Sequence, residues 1–292
     1  MPSKDEDVIE SAIKQLDNLK NRTLNVLDIS KPIDAEYAKN IILILSKISP
    51  LVGNMIEFTA LEQLSGLKWH GDGKWVRQDP GFPDLLFKGD IKPSPGIEIK
   101  TWFPLATEIT ARFRESINSL NKNTRLVLMA WLPEHIIYGK PKIIDLWVGN
   151  ALDLALTRDK HYHNPPDYIV FEPEDTSSRT GNLQQTNTNG FKFQGTKEQF
   201  IKAEKEVSKW SVNPKTYSAL LSYQTQLKSL LKTYPYRGDT NFSKIDRINH
   251  TGLEEFKKKI LNTTLNGHKI LEWSELSEVD SHKATALLNE LV

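Results

Sequence analysis

The chain contains 292 residues, of which 26% are charged and 38% hydrophobic, and its formal net charge at pH 7 is +1. These proportions are typical of a globular protein, and the charge excludes a uniformly basic nucleic-acid-binding protein, though not a basic groove beside an acidic site. The chain contains no cysteine, which excludes disulfide bonds and thiolate metal sites. Its first residues, MPSKDEDVIE, are unlike a signal peptide, and no apolar run approaches membrane-spanning length, so we expect a cytoplasmic protein without membrane contact.

Helical periodicity predicts three helices in the first quarter of the chain. Apolar residues at helical spacing indicate an amphipathic helix from about Asp5 to Lys20, and a second helix is expected from about Asp34 to Lys47. Ser49-Pro50 should begin a third helix, because serine caps helices and proline fits the first helical turn. This third helix should end near Gly66, since glycine is common just after a helix.

Glu57 lies in the middle of the predicted third helix and has apolar neighbours. Gly53 lies one turn earlier on the same face and would let another backbone approach closely. A glutamate on a helix is ordinarily a surface residue, as we expect of Glu62. Apolar surroundings make a carboxylate costly, however, and a neighbouring metal site would account for Glu57.

The stretch from Gly81 to Trp102 carries the densest group of chemically active residues. Asp84 to Phe87 and Gly96 to Thr101 both read as short strands, separated by a turn rich in glycine and proline. Alternation along the second strand places Glu98 and Lys100 on one face and the isoleucines on the other. A Glu-x-Lys pair alone is common on exposed strands. A hairpin that adds Asp84 would place two carboxylates and an ammonium together, a combination that suits Mg²⁺ with Mn²⁺ as a substitute.

The rest of the chain predicts further strands and helices in an α/β arrangement. Strands are expected at 125–133, 142–148 and 167–171, with a helix between the last two that Asn150 caps. Later helices are expected at about 196–210 and 214–234, followed by a tail that resembles a helix-turn-helix but is better explained by ordinary helix packing. We therefore predict a core in residues 1–211 and a helical region in residues 212–292, which contacts DNA or forms a dimer.

Two polar stretches are candidates for contact with DNA. The segment 172–195 is rich in Ser, Thr, Asn, Gln and Gly and is either a plain surface loop or a loop that reads bases. Arginine, asparagine and glutamine side chains can pair with guanine and adenine edges. The base-reading candidates in this segment are therefore Arg179, Asn182, Gln184 and Gln185. Arg237 and Lys244 lie in a basic, aromatic stretch that suits phosphate contacts but would equally suit a loop.

The motifs as a set resemble the PD-(D/E)xK nuclease superfamily, and most closely its MutH-like branch, which includes a mismatch-repair endonuclease and related restriction enzymes. The matching residues are Val52, Gly53 and Glu57 on the helix, then Asp84, then the strand Gly96-Ile97-Glu98-Ile99-Lys100-Thr101. The resemblance covers about residues 48–171. The chain departs from the family pattern at two places. Ile48-Ser49-Pro50 stands where the family often has a lysine before the helix glycine. Residues 88–95 lengthen the turn between the two motif strands.

The resemblance implies a fold, a metal site and an activity. The fold would be α/β, with a restriction-endonuclease-like core of a mixed central sheet flanked by helices and a mostly helical C-terminal part. Asp84 and Glu98 would bind Mg²⁺ together with the backbone carbonyl of Ile99, and Glu57 would complete the acidic cluster. Lys100 would orient or help activate the attacking water.

We therefore expect a Mg²⁺-dependent type II restriction endonuclease that acts on double-stranded DNA as a homodimer. The N-terminal helix and the helices after Thr196 offer apolar surface for that dimer. A cognate DNA methyltransferase is expected in the same system but not as a physical partner. The alternatives are a MutH-like mismatch-repair nicking endonuclease and, in a different class, a non-catalytic DNA-binding module.

Overall fold

A five-stranded mixed sheet lies at the centre of the structure, a computed structural model that describes residues 4–79, 81–172, 188–277 and 282–291. The strands lie side by side in sequence order. All neighbours are antiparallel except β3 and β4, which are parallel. The strands are β1 (Lys74–Arg77), β2 (Leu85–Lys88), β3 (Gly96–Trp102), β4 (Thr124–Pro133) and β5 (Pro141–Asn150).

The predicted pairing of the first two motif strands is confirmed. In the antiparallel β2–β3 pair, Leu85 lies opposite Ile97 and Leu86 opposite Gly96. β4 is almost entirely apolar and almost entirely buried, as expected for a central strand that is covered on both faces. The connection from β3 to β4, residues 103–123, contains no helix, although parallel neighbours are commonly joined by one.

Helices flank this sheet and share its apolar core. α1 (Lys4–Asp17) packs on α2 (Ala35–Ser65), which contacts β1 and β3, while α3 (Ala151–Tyr162) contacts β4 and β5. The predicted cap of α3 is confirmed, because the side chain of Asn150 accepts the Asp153 N–H at 3.1 Å. The mixed α/β architecture is therefore as the sequence predicted.

The predicted break at Pro50 is wrong, because α2 is one continuous helix with Pro50 inside it. Proline removes the N–H that would bond the carbonyl of Ser46, one turn earlier. Pro50 and Ser46 are both exposed, so water can reach that carbonyl. The apolar packing of both halves therefore outweighs the lost hydrogen bond.

The continuous α2 also corrects the expectation that no apolar run reaches membrane-spanning length. By length and composition alone, Glu36–Ser65 could cross a membrane, and 28% of its most apolar window is buried. The helix contacts β1, β3 and α1.

A second sheet with its own small core follows the first. Its strands run antiparallel in the order β6 (Tyr168–Phe171), β7 (Asn189–Phe193) and β8 (Tyr236–Gly238). α4 (Lys197–Val207) and α5 (Leu221–Thr233) contribute to this core, and α5 begins seven residues later than predicted because 214–220 is irregular. The strand predicted at 167–171 thus lies outside the central sheet.

The last helices return to the first core. α6 (Thr251–Leu261) packs on β5, and α8 (His282–Leu291) packs on α2. Between them lie the short pair β9 (Thr264–Leu265) and β10 (His268–Lys269), and α7 (Ile270–Ser274) with its fully buried Trp273. Ordinary helix packing therefore accounts for the tail. The boundary after residue 211 stays a prediction, but the second core is formed by residues from 169 to 236.

We predict that Gly96→Ala destabilises the fold at the β2–β3 hairpin. A Cβ at Gly96 would lie 2.4 Å from Cγ of Pro83, whose ring cannot swing away as a flexible side chain can. Forcing a methyl group into such a contact typically costs about 1–3 kcal/mol. Urea unfolding should show this loss in the free energy of unfolding.

Gly66→Ala is the matched control. Gly66 has an ordinary φ of −74° and open space where its Cβ would lie. Equal unfolding midpoints for the two variants would contradict the assigned contact between Pro83 and β3.

Candidate active site

The β2–β3 hairpin brings Asp84 and Glu98 together, as the sequence predicted. The backbone N–H of Asp84 donates to Oε2 of Glu98 at 3.2 Å. The N–H of Ile99 donates in return to Oδ2 of Asp84 at 2.6 Å. Each carboxylate is thus held by the backbone of the segment that carries the other, which fixes their relative position.

Lys100 lies on the same face of β3 and contacts Glu98 directly. Its ammonium donates to Oε1 of Glu98, which is only 3% exposed. Burial raises the pKa of Glu98 well above its usual range, although the charge of Lys100 opposes this shift. Burial by itself would lower the pKa of Lys100, but the charges of Glu98, Asp84 and Glu115 raise it above its usual range. Lys100 therefore stays an ammonium and acts as a hydrogen-bond donor.

Glu57 reaches the site from α2, but an arginine that the sequence did not single out holds it. Nε and Nη2 of Arg77, on β1, donate to Oε2 of Glu57 at 3.2 and 3.0 Å. Nη2 also donates to the side chain of Asn54 at 3.2 Å. Burial and the nearby charge of Asp84 raise the pKa of Glu57, while Arg77 opposes the rise.

Gly53 accounts for the closeness of α2 to the site. A Cβ on Gly53 would lie 3.2 Å from Oγ1 of Thr101, so the side chain of β3 fits where this glycine has none. The close approach inferred from Gly53 is therefore present, and its neighbour is a side chain rather than a backbone.

A further carboxylate, Glu115, lies in the connection between β3 and β4. Its Oε2 is buried and has no hydrogen-bond partner among the described residues. Its charge acts on both Glu98 and Lys100. The sequence offered no motif around it, because its position depends on a connection without regular structure.

The connection that carries Glu115 is held by a buried ion pair on α3. Arg158 and Asp159 are fully buried, and Nε of Arg158 donates to Asp159 at 2.7 Å. Its Nη1 and Nη2 donate to the carbonyls of Phe113 and Glu115 at 2.7 and 2.9 Å. Burial raises the pKa of Asp159 to about 6. Arg158 and Asp159 follow the buried Leu154 and Ala155 by one helical turn on the same face of α3. Charged residues on that face were the sequence signal for this pair.

Asp84 and Glu98 are the residues that could hold a hard divalent cation. Both offer carboxylate oxygens, the donors that Mg²⁺ prefers, and a cationic group already lies on Glu98 in the form of Lys100. Oε2 of Glu57 is paired with Arg77, and the part of Glu57 in the acidic cluster stays a prediction. Among the described residues, no three acidic or histidine side chains converge closely enough to hold a metal. The role of the Ile99 carbonyl stays a prediction.

The predicted DNA contacts divide into three cases. Arg179, Asn182, Gln184 and Gln185 lie outside the described residues. Arg237 lies exposed on β8, as a phosphate contact would require. Lys244 does not meet that requirement, because its side chain is only 16% exposed and its ammonium pairs with Glu108 at 2.9 Å.

A buried glutamate joins the two ends that flank residues 173–187. Oε1 of Glu172 accepts the hydroxyl of Thr188 at 3.0 Å and the N–H of Ile117 at 3.2 Å. Its Oε2 accepts the side chain of Asn118 at 3.0 Å. Both ends are therefore attached to the β3–β4 connection, two to three residues after Glu115.

No protein-family model matches the chain, and no curated protein sequence matches it either. The geometry of the hairpin, the paired carboxylates and the partly buried Lys100 is therefore the basis for a functional assignment.

Proposed function

We propose that this chain is a Mg²⁺-dependent endonuclease of the PD-(D/E)xK type that hydrolyses phosphodiester bonds in double-stranded DNA as part of a restriction system. One observation carries the proposal. A carboxylate that is 3% exposed, Glu98, is joined on one hairpin by a second carboxylate and by an ammonium. Replacing a buried ion pair by apolar residues often leaves the stability of a protein unchanged or raises it. Stability alone therefore does not explain why these charged residues are present.

The chain's own residues would divide the chemistry between them. Asp84 and Glu98 would hold the cation, which when bound polarises a phosphoryl oxygen and lowers the pKa of a water molecule. Lys100 would donate a hydrogen bond that orients the attacking water or the scissile phosphate. In the reaction, a water oxygen bonds to phosphorus, the bond to the 3′ oxygen breaks, and that oxygen takes up a proton.

Arg77 gives Glu57 a supporting role in this proposal. Because Arg77 neutralises Glu57, the net charge beside the scissile phosphate is less negative than three free carboxylates would make it. A polyanionic substrate approaches such a site at a lower electrostatic cost. Glu57 then acts by positioning Arg77 and Asn54 rather than as a direct ligand.

We predict that Asp84→Asn and Glu98→Gln each reduce Mg²⁺-dependent cleavage of plasmid DNA by about 100-fold or more. Each removes a negative charge that holds the cation, and the cation supplies several kcal/mol of transition-state stabilisation. Single-turnover digestion of a supercoiled plasmid measures the loss. Glu62→Gln, on the exposed side of the same α2 that carries Glu57, should cut as the native chain does.

The pattern of products tests the class of enzyme. Discrete linear fragments support the restriction enzyme, nicking that requires a partner supports the repair enzyme, and no cutting by the native chain on diverse DNA supports a binding module. Near-native cleavage by Asp84→Asn or Glu98→Gln would show that the site is wrongly assigned.

We predict that Lys100→Met destabilises the protein more than the double variant Lys100→Met/Glu98→Gln. Removing one partner of a buried ion pair leaves an uncompensated charge, at a cost of about 3–5 kcal/mol. The double variant removes both charges and should recover part of that loss. Guanidinium unfolding of both variants tests this, and equal stabilities would show that Lys100 does not compensate Glu98.

Arg237 and Lys244 give a matched pair of DNA-binding predictions. Arg237→Gln should weaken binding to a non-specific duplex and reduce the slope of log affinity against log salt by about one, because one phosphate contact is lost. Lys244→Gln should leave that slope unchanged, since its ammonium is paired with Glu108. Fluorescence anisotropy at several salt concentrations measures both slopes, and the reverse result would exchange the two roles.

A further inference from the structure

The backbone and the side chain of Glu115 have different environments in the irregular connection between β3 and β4. The backbone carbonyl accepts Nη2 of the fully buried Arg158 at 2.9 Å. The carboxylate has a buried oxygen, Oε2, that finds no hydrogen-bond partner in the part of the chain that the structure describes. A buried polar atom without a partner destabilises a fold, so its presence in a folded protein calls for an explanation.

The backbone on both sides of Glu115 is held by side chains. Nη1 of Arg158 donates to the carbonyl of Phe113 at 2.7 Å, next to its bond to Glu115. The N–H of Ile117 donates to the buried carboxylate of Glu172 at 3.2 Å. These bonds take the place of the helix or strand that the segment lacks, and they fix where the side chain of Glu115 begins.

The residue type at position 158 indicates that the location of this segment matters. Arg158 is fully buried with Asp159, and apolar residues in place of such a pair often leave a protein as stable or more so. A guanidinium holds two acceptors at once in a fixed geometry, which an apolar side chain cannot do. Arg158 therefore supplies the position of the connection rather than stability alone.

The charge of Glu115 acts on the ammonium in the candidate site. The charges of Glu98, Asp84 and Glu115 raise the pKa of Lys100 above its usual range. Glu98 and Asp84 are also the two carboxylates assigned to the cation in the proposed function. Glu115 is the member of these three that such a cation would leave free.

A cation at Asp84 and Glu98 would place a second positive charge beside Lys100. The ammonium already donates to Glu98, so the two positive charges would share that carboxylate and repel each other. A further anion that acts on the ammonium reduces the repulsion. It also keeps Lys100 in place when Glu98 has a second partner.

We propose that Glu115 is a positioning residue for Lys100, placed by Arg158, and that it keeps the ammonium in position while a divalent cation occupies Asp84 and Glu98. This role rests on the proposed function. Glu115 is not itself assigned to the cation, because no three acidic or histidine side chains within the described ranges converge closely enough to bind one ion.

Glu115→Gln tests this role, because it removes the charge and keeps the size of the side chain and the backbone bond to Arg158. Titration with Mn²⁺ in the absence of DNA, followed by electron paramagnetic resonance, measures cation binding separately from cleavage. We expect the dissociation constant for Mn²⁺ to rise about tenfold, because Lys100 then depends on Glu98 alone and competes more strongly for it.

Cleavage by the same variant gives a second measurement. At saturating DNA and Mg²⁺, the single-turnover rate of Glu115→Gln should fall about tenfold or more, since Lys100 is no longer held where it donates. The DNA concentration for half-maximal rate should stay unchanged, because Glu115 does not contact DNA in this proposal. Glu115→Asp keeps the charge and should recover part of the rate.

Glu108→Gln is the matched control. Glu108 lies on the same β3–β4 connection and loses the same charge, but its carboxylate pairs with Lys244 at 2.9 Å. This variant should bind Mn²⁺ and cut DNA as the native chain does. A loss equal to that of Glu115→Gln would show a general effect of charge and would overturn the specific role of Glu115.

A purely structural role of the Glu115 side chain predicts a different pattern. In that case Glu115→Gln would lower the melting temperature and speed hydrogen exchange at residues 113–118, while Mn²⁺ binding stayed native. In our proposal Arg158 holds the backbone, so melting and exchange stay close to native while Mn²⁺ binding and cleavage weaken. The structural pattern would overturn the proposal.

Failure of this inference can be told apart from failure of the proposed function. Native Mn²⁺ affinity and native cleavage in Glu115→Gln would overturn the role of Glu115 and leave the roles of Asp84 and Glu98 intact. A native chain that neither binds Mn²⁺ nor cuts DNA would overturn the proposed function, and the role of Glu115 with it.

Discussion

The pairing of Glu98 with Lys100 is the interaction on which the surrounding structure depends. A carboxylate that folding removes from water must be compensated, and loss of that compensation costs several kcal/mol. Lys100 and the backbone N–H of Asp84 supply it here. Both come from the same hairpin, so the pairing register of β2 and β3 determines whether the charge is tolerated. The close contact of Pro83 with Gly96 fixes that register from the other side.

Two arginines extend this electrostatic organisation beyond the hairpin. Arg77 neutralises Glu57 at the edge of the site, and Arg158 holds the carbonyls around Glu115 beneath it. Neither residue is free to move, because each donates to at least two acceptors. Both arginines therefore already donate to acceptors within the protein. Lys100 is the cation next to Glu98 that is in a position to donate to a substrate.

The parts of the fold that local pattern governs were predictable from the sequence. The motif hairpin, the apolar strand β4 and the Asn150 cap of α3 all depend on residues close together in the chain. Pro50 was misread because its local preference to begin a helix is weaker than the packing of α2 on both sides of it. The helix boundary there was decided by tertiary contacts, which no local pattern contains.

In the candidate site, too, the residues placed by local pattern were predictable and those placed by tertiary contacts were not. Asp84, Glu98 and Lys100 were found because alternation along a strand and one hairpin place them together. Arg77 and Glu115 were missed because their positions depend on a neighbouring strand and on an irregular connection. Arg158 and Asp159 were missed because charged residues on a helix are ordinarily exposed. Their place on the buried face of α3 was the only sign of their role.

The junction at Glu172 has a consequence for how such a protein can change. Its carboxylate attaches both ends of the segment 173–187 to the β3–β4 connection, so the ends stay together whatever lies between them. Lengthening a chain segment whose ends are held together costs little, about 0.6 kcal/mol for each doubling. A change of length between these two ends therefore carries a small closure cost, and the attachment of both ends beside the hairpin that carries Asp84 and Glu98 is retained.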